Sequence, residues 1–270
     1  MKIITRLYLL LSLAISVVDL CCVETSVSSA KSSIKCRDRL FQCALVSKIL
    51  DRECHGILRK IALRDGKIPN FPLERIPLTD SQRQYDMDFF MKSIAATVNC
   101  VNKNILRQRK FVKLVQDKRR SGIQLTKGEE EYFAMICEFY QTKNIDDLLI
   151  RVAPVPVSLA VAQAALESGF GKDRTIHSMN AYFGLARTKD KLISFDSLYK
   201  SAVAYAKTLN VNLCYREFRR QRAAMISNSQ KIDGAKLSPS LKLYGTDKNY
   251  RNSVQKIIIF HGLASLDRPI

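Results

Sequence analysis

At 270 residues and 47% hydrophobic composition, the chain can bury the core of one large or two modest domains, and a disordered polymer is excluded. Its formal charge of +19 predicts attraction to polyanions: nucleic acid, anionic lipid surfaces or acidic envelope polymers. Charge by itself does not choose among these.

Lys2 and Arg6 precede an apolar run from Leu7 to Val18, the order of a secretory signal. The run is shorter than the roughly 20 residues a membrane span needs. Ser28 and Ala30 suit cleavage after Ala30, and an uncleaved anchor is the alternative. Residues 1–30 therefore read as a signal peptide or N-terminal anchor with linker. The protein is expected outside the cytoplasm, periplasmic or bound to the cell envelope, and touches a membrane only through this segment.

Eight cysteines fit an oxidising compartment, and losing Cys21 and Cys22 leaves six: Cys36, Cys43, Cys54, Cys100, Cys137 and Cys214. They read as disulfide partners or as buried small hydrophobes, with the pairing open. No CxxC occurs, and His55, His177 and His261 lie far apart. A metal site has no support, and no cofactor motif is found.

Residues 31–80 form a helical N-terminal region, periodic from Cys36 to Leu63, followed by the Pro-rich connector GKIPNFPLERIPLTD. Residues 81–150 are a helical lead-in. Its first helix spans about Ser81 to Arg120, with Phe89, Phe90, Ile94, Val98, Val101, Ile105, Phe111, Leu114 and Val115 as one apolar side. Its far end carries Lys103, Arg107, Arg109, Lys110, Lys113, Lys118, Arg119 and Arg120, which read as a solvated face or as a binding surface. Ser121-Gly122 breaks it. Thr126 and Glu129 form a capping box for the next helix, and Asp146 and Asp147 suit the positive end of a third.

Residues 151–266 make the last domain. An Ala-rich helix from about Ser158 to Ser168 admits neighbours closely and reads as central. Leu198, Ala202, Tyr205 and Leu209 mark a helix face, as do Tyr250, Val254, Ile257, Ile258 and His261. DKLISF, 190–195, is the one defensible strand. The fold class is mostly α.

The chemistry starts at AQAALESGFGKDR, 162–174. Gly169 suits a left-handed helix cap, which places Glu167 in the last turn, among apolar residues. The negative helix end and loss of solvation both raise a carboxyl pKa, as a general acid at neutral pH requires. A surface glutamate on a frayed helix end is the plain alternative. Phe170 offers a ring between two glycines, and Asn180, Tyr182, Phe183 and Gly184 make a second aromatic-glycine turn.

PVSLAVAQAALESGFGKDR followed by NAYFGLA resembles the glucosaminidase family of bacterial wall hydrolases, particularly its Bax-like branch. FDSLYKSAVAYAKTLN, YREFRRQR and YGTDKNYRNSVQKIIIFHGL extend the likeness over about residues 70–265. The resemblance implies a lysozyme-like, α-rich domain with a small or reduced β-lobe. It implies Glu167 as the acid that protonates the glycosidic oxygen of peptidoglycan, with Phe170, Asn180, Phe183 and Tyr205 lining the substrate cleft. Tyr205 equally suits a helix's apolar face.

A second carboxylate normally serves as nucleophile or base. Asp190 is the sole acid between the FG turn and FDS, and an exposed TKDK turn explains it equally well. Phe170 stands where the family usually has tryptophan.

The expected function is an endo-N-acetylglucosaminidase of peptidoglycan, with glycan strands and other envelope proteins as partners. The alternative is a weak or inactive wall-binding or secretion-scaffold protein on the same fold. Nucleic acid ranks third, without a base-reading motif.

Overall fold

The computed structural model describes residues 80–269 except 189, 190, 246 and 248, with side chains from residue 87 onward except at Arg187. The expectations for residues 1–79, including the export segment and five of the eight cysteines, lie outside the described residues. Helix α1 (Asp80–Arg120) runs 41 residues, about 60 Å. It is followed by α2 (Lys127–Phe139), α3 (Ile145–Arg151) and α4 (Val157–Ser168).

A short α5 (Arg174–Ser178) leads to strands β1 (Ala186–Thr188) and β2 (Lys191–Leu192). Then come α6 (Leu198–Val211), α7 (Arg216–Ser227), α8 (Gly234–Leu237) and α9 (Tyr250–Phe260). The described residues form an α-rich domain with a much reduced β-lobe.

α4 is the hub, as its alanines predict. α1, α8, α9 and a closing 3-10 turn (Leu263–Leu266) all pack on it. Ala160, Ala162, Ala164 and Ala165 are completely buried, so backbones approach on every side. The N-cap residue Pro156 offers no side-chain bond. Asp267 substitutes from the C-terminal end of the chain, accepting from Ser158 N at 2.9 Å, Ser158 Oγ at 2.5 Å and Gly234 N at 2.9 Å. Burial pushes the Asp267 carboxyl up, and these bonds pull against it.

α1 docks through Ile94, Val98, Val101, Ile105 and Val112, all buried. Leu114, expected on this side, is 45% exposed. It follows Ile105 by nine residues, half a turn around the helix, while Val112 takes the inward place. Asn102 clasps the backbone of Val155, donating to its carbonyl at 2.8 Å and accepting from its N–H at 3.0 Å. The capping box forms as expected: Thr126 Oγ1 accepts from Glu129 N, and Glu129 Oε2 from Thr126 N at 2.8 Å.

Several arginines of the basic runs turn inward. Arg222 is completely buried, and donates to the carbonyls of Ile150 and Pro154 at 3.1 Å and to Asn210 Oδ1 at 2.7 Å. Arg109 donates to Leu149 O and to Val152 O, and Arg219 to Leu209 O and Asn212 O. These carbonyls lie at or just beyond the C-termini of α3 and α6, where helical bonding runs out and the dipole is negative. Burial and neighbouring cations lower Arg222 to about 9 and Arg219 to about 10.

The expected strand at 190–195 is realised only at Lys191–Leu192, paired antiparallel with β1. Beyond it, Ile193 N donates to Leu185 O and Phe195 N to Met179 O, which ties the segment back to the preceding turn. Ser197 then caps α6, so no length remains for a ladder. Among the described residues, Cys137 and Cys214 form no disulfide.

Candidate active site

Glu167 lies in the last turn of α4, and Gly169 ends the helix in the left-handed conformation (φ 56°). Gln163 precedes Glu167 by one turn on the same face and is completely buried. A buried amide needs partners, and it finds them on two other helices. Tyr205 of α6 donates its hydroxyl to Gln163 Oε1 at 2.8 Å, and Gln163 Nε2 donates to the Tyr250 hydroxyl at 3.0 Å. Tyr250, at the start of α9, donates in turn to the Glu167 carboxyl. Every donor in the chain faces towards the acid.

Aromatic rings pack this network from below. Phe183 stacks on Tyr205, with centroids 4.4 Å apart and planes 18° apart. Tyr244 stacks on Tyr250 at 5.7 Å and donates to Phe183 O at 2.6 Å. Tyr215 lies 6.0 Å from Tyr244. The charge of Glu167 reaches Tyr215, Tyr244 and Tyr250 and adds to burial in raising their hydroxyls.

Glu167 is half-buried. Burial holds its carboxyl above the ordinary carboxylate range, and the Tyr250 bond counters this only in part. A carboxyl shifted in this direction is suited to hand its proton to an oxygen that reaches it. Gly184 lies close against the carboxyl: a Cβ there would stand 2.3 Å from Glu167 Oε2. The NAYFGL turn is thus shaped around the carboxyl.

Residues 147–262 match the family described as mannosyl-glycoprotein endo-beta-N-acetylglucosaminidase. That segment is a glucosaminidase-family domain. Protein bax of Escherichia coli (strain K12) is 31% identical to this chain over 116 residues, 39% of this chain and 42% of bax. The chain thus covers about two fifths of the length of that curated relative. No solved structure matches.

Within the glucosaminidase domain the expected site residues are distributed unevenly. Phe183 and Tyr205 stack on one another, both completely buried, and Tyr205 reaches Gln163 one turn before Glu167. Asn180, at φ 50°, donates to Phe195 O at 2.9 Å and holds the two ends of the β-turn segment together. Phe170 is half-buried, and its ring lies 5.4 Å from that of His261. The close approach that Gly171 permits is made by the ring of Phe90, not left open.

Asp190 lies outside the described residues. Of the nearest acids in sequence, Asp196 pairs with Lys200 on an exposed turn and Asp173 caps α5. Among the described residues, no His, Cys, Asp and Glu cluster is placed to hold a metal ion.

Sequence reasoning missed Gln163, and it placed Tyr250 on a helix face and Gly184 in an aromatic-glycine turn without joining either to Glu167. Gln163 carried a usable signal, a polar residue four before Glu167 in an otherwise apolar helix. Tyr250 carried none, because its position 83 residues downstream becomes meaningful only when α9 packs on α4.

Proposed function

We propose that the glucosaminidase domain hydrolyses N-acetylglucosaminyl bonds in the glycan strands of peptidoglycan, with Glu167 as the general acid. The observation that carries this reading is Glu167 itself: half-buried, raised in pKa, and held by a single donor at the end of a tyrosine–glutamine chain. Glu167 gives its proton to the glycosidic oxygen as the bond to the anomeric carbon breaks. Water then adds to that carbon and loses its proton, leaving a reducing N-acetylglucosamine end. Asp190 is the proposed base; the substrate's own acetamido oxygen is the alternative group. The proposed place of action is the cell envelope, with sacculus strands as partner.

A second reading is a wall-binding or scaffold protein that does not cleave. It is favoured by one observation: among the described residues, Tyr250 and no second carboxylate acts on the Glu167 carboxyl. Digestion of purified sacculi by wild type and Glu167→Gln separates the two, with products read by mass spectrometry. Hydrolysis predicts reducing N-acetylglucosamine ends from the wild type, reduced at least about hundredfold in the variant. Sacculus binding by both folded proteins without new ends would establish the second reading. Equal digestion by both would remove Glu167 from the chemistry.

A further inference from the structure

Part of the basic run of α1 is spent inside the fold or on neighbours. Arg109 bonds carbonyls of the α3 end, Lys118 pairs with Glu129, and Arg119 lies over the Phe133 ring. Arg107 donates to Asn104 Oδ1 at 3.2 Å. Lys103, Leu106, Arg107, Lys110, Lys113 and Leu114 are all exposed. At 100° per residue they fall in one sector about 120° wide. No carboxylate among the described residues pairs with Lys103, Lys110 or Lys113. Asp117, exposed within the same sector, is the one acid between residues 103 and 120. The stripe ends at an exposed turn that carries Ile123, 56% exposed.

We propose that this face of α1 lies against an anionic phospholipid surface. Two features choose lipid over other polyanions. Leu106 and Leu114, 36% and 45% exposed, alternate with the cations, which is the mixture that suits a headgroup–acyl boundary. The stripe also has no aromatic side chain on which a nucleobase would stack. The lysines meet the phosphates while the leucines enter the boundary between them. The interaction is independent of hydrolysis at Glu167 and would hold the domain beside the membrane.

The test is flotation of the full chain with vesicles of phosphatidylcholine alone or mixed with phosphatidylglycerol. Any pull of the apolar segment 7–18 is common to all variants, so comparison between variants isolates the stripe. Wild type is expected to bind the anionic vesicles at least about tenfold better, with the advantage lost at high salt. K103E/K110E/K113E should lose at least about tenfold on those vesicles, and the milder K103Q/K110Q/K113Q should lose less. L106S/L114S should weaken vesicle binding about threefold or more while binding a short DNA duplex as wild type does. Equal binding to both vesicle types, or either lysine variant binding as wild type, overturns the proposal. Unchanged vesicle binding by L106S/L114S also overturns it, and points to a charge-only polyanion surface. Circular dichroism melts confirm that each variant is folded.

Discussion

Glu167 and Arg222 are both ionisable groups withdrawn from water, and the protein treats them in opposite ways. Arg222 is enclosed completely and meets two carbonyls and an amide oxygen, leaving only Nε without an acceptor. Glu167 is enclosed by half and receives one bond, from a tyrosine that is itself occupied with Gln163. A buried charge supplied with partners on nearly every side locks two helix ends together and has nothing left to offer. A carboxyl supplied with one donor keeps bonding capacity for a ligand. Perturbed pKa values mark both regions, so the shift does not by itself distinguish scaffold from chemistry. The remaining bonding capacity does.

The comparison breaks most visibly at Arg222. Arg222→Ala leaves the Ile150 and Pro154 carbonyls without their donor and opens a hole. The expected loss is about 3–5 kcal/mol in urea unfolding. Arg222→Lys, which keeps the charge but not the fork, should lose less. Sacculus-digesting activity per folded molecule should stay unchanged in Arg222→Lys if the hub is purely structural.

Tyr250→Phe tests the opposite region. It strips Gln163 Nε2 of its acceptor, a cost of about 1–3 kcal/mol. It also removes the one bond that favours ionised Glu167, so the carboxyl pKa rises further. The limb of the pH–activity profile that reports loss of the acid's proton should therefore move to higher pH. A profile that keeps its position while stability falls would mean that Tyr250 is structural only.

A smaller effect on stability is expected from Gly184→Ala. Its left-handed backbone (φ 63°) opposes a side chain by about 1–2 kcal/mol. The new methyl would also meet the Glu167 carboxyl, so activity should fall more than stability accounts for. Parallel losses in both measurements would remove the turn from the site.

Glu167→Gln should give the smallest stability change, with the sign reversed. Because folding raises this pKa, the folded chain holds a proton that the unfolded chain releases. That contribution is complete below the ordinary value of 4.5 and is lost as pH rises through the folded value. At neutral pH the wild type thus carries a desolvation cost that the amide avoids. The variant should melt higher than wild type at pH 7, and the gap should close on acidification. A variant that melts lower at every pH would contradict the raised pKa.

Local signals made several elements legible. Thr126 and Glu129 announced a helix start, Gly169 a helix end, and the run of alanines a central helix, because each acts within one or two turns of chain. Leu114 was misplaced for a related reason: a helix of 41 residues presents apolar side chains on more than one side, and only packing selects the inward one. The arginines illustrate the opposite limit. Arg109, Arg219 and Arg222 look like surface charge in sequence, and nothing local announces that the α3 and α6 ends have carbonyls to satisfy.

The residues themselves determined the helical class, the placement of Glu167 before a glycine cap, and the likeness to the glucosaminidase family. Tertiary structure alone decided what surrounds that acid. Hydrogen bonds reach only about 3 Å, and the groups that meet Glu167 and Gln163 come from helices 42 to 87 residues away in the chain. No spacing rule spans such separations. The docking of α6 and α9 against α4 is what buries a glutamate at a helix end, raises its pKa and sets a tyrosine against it.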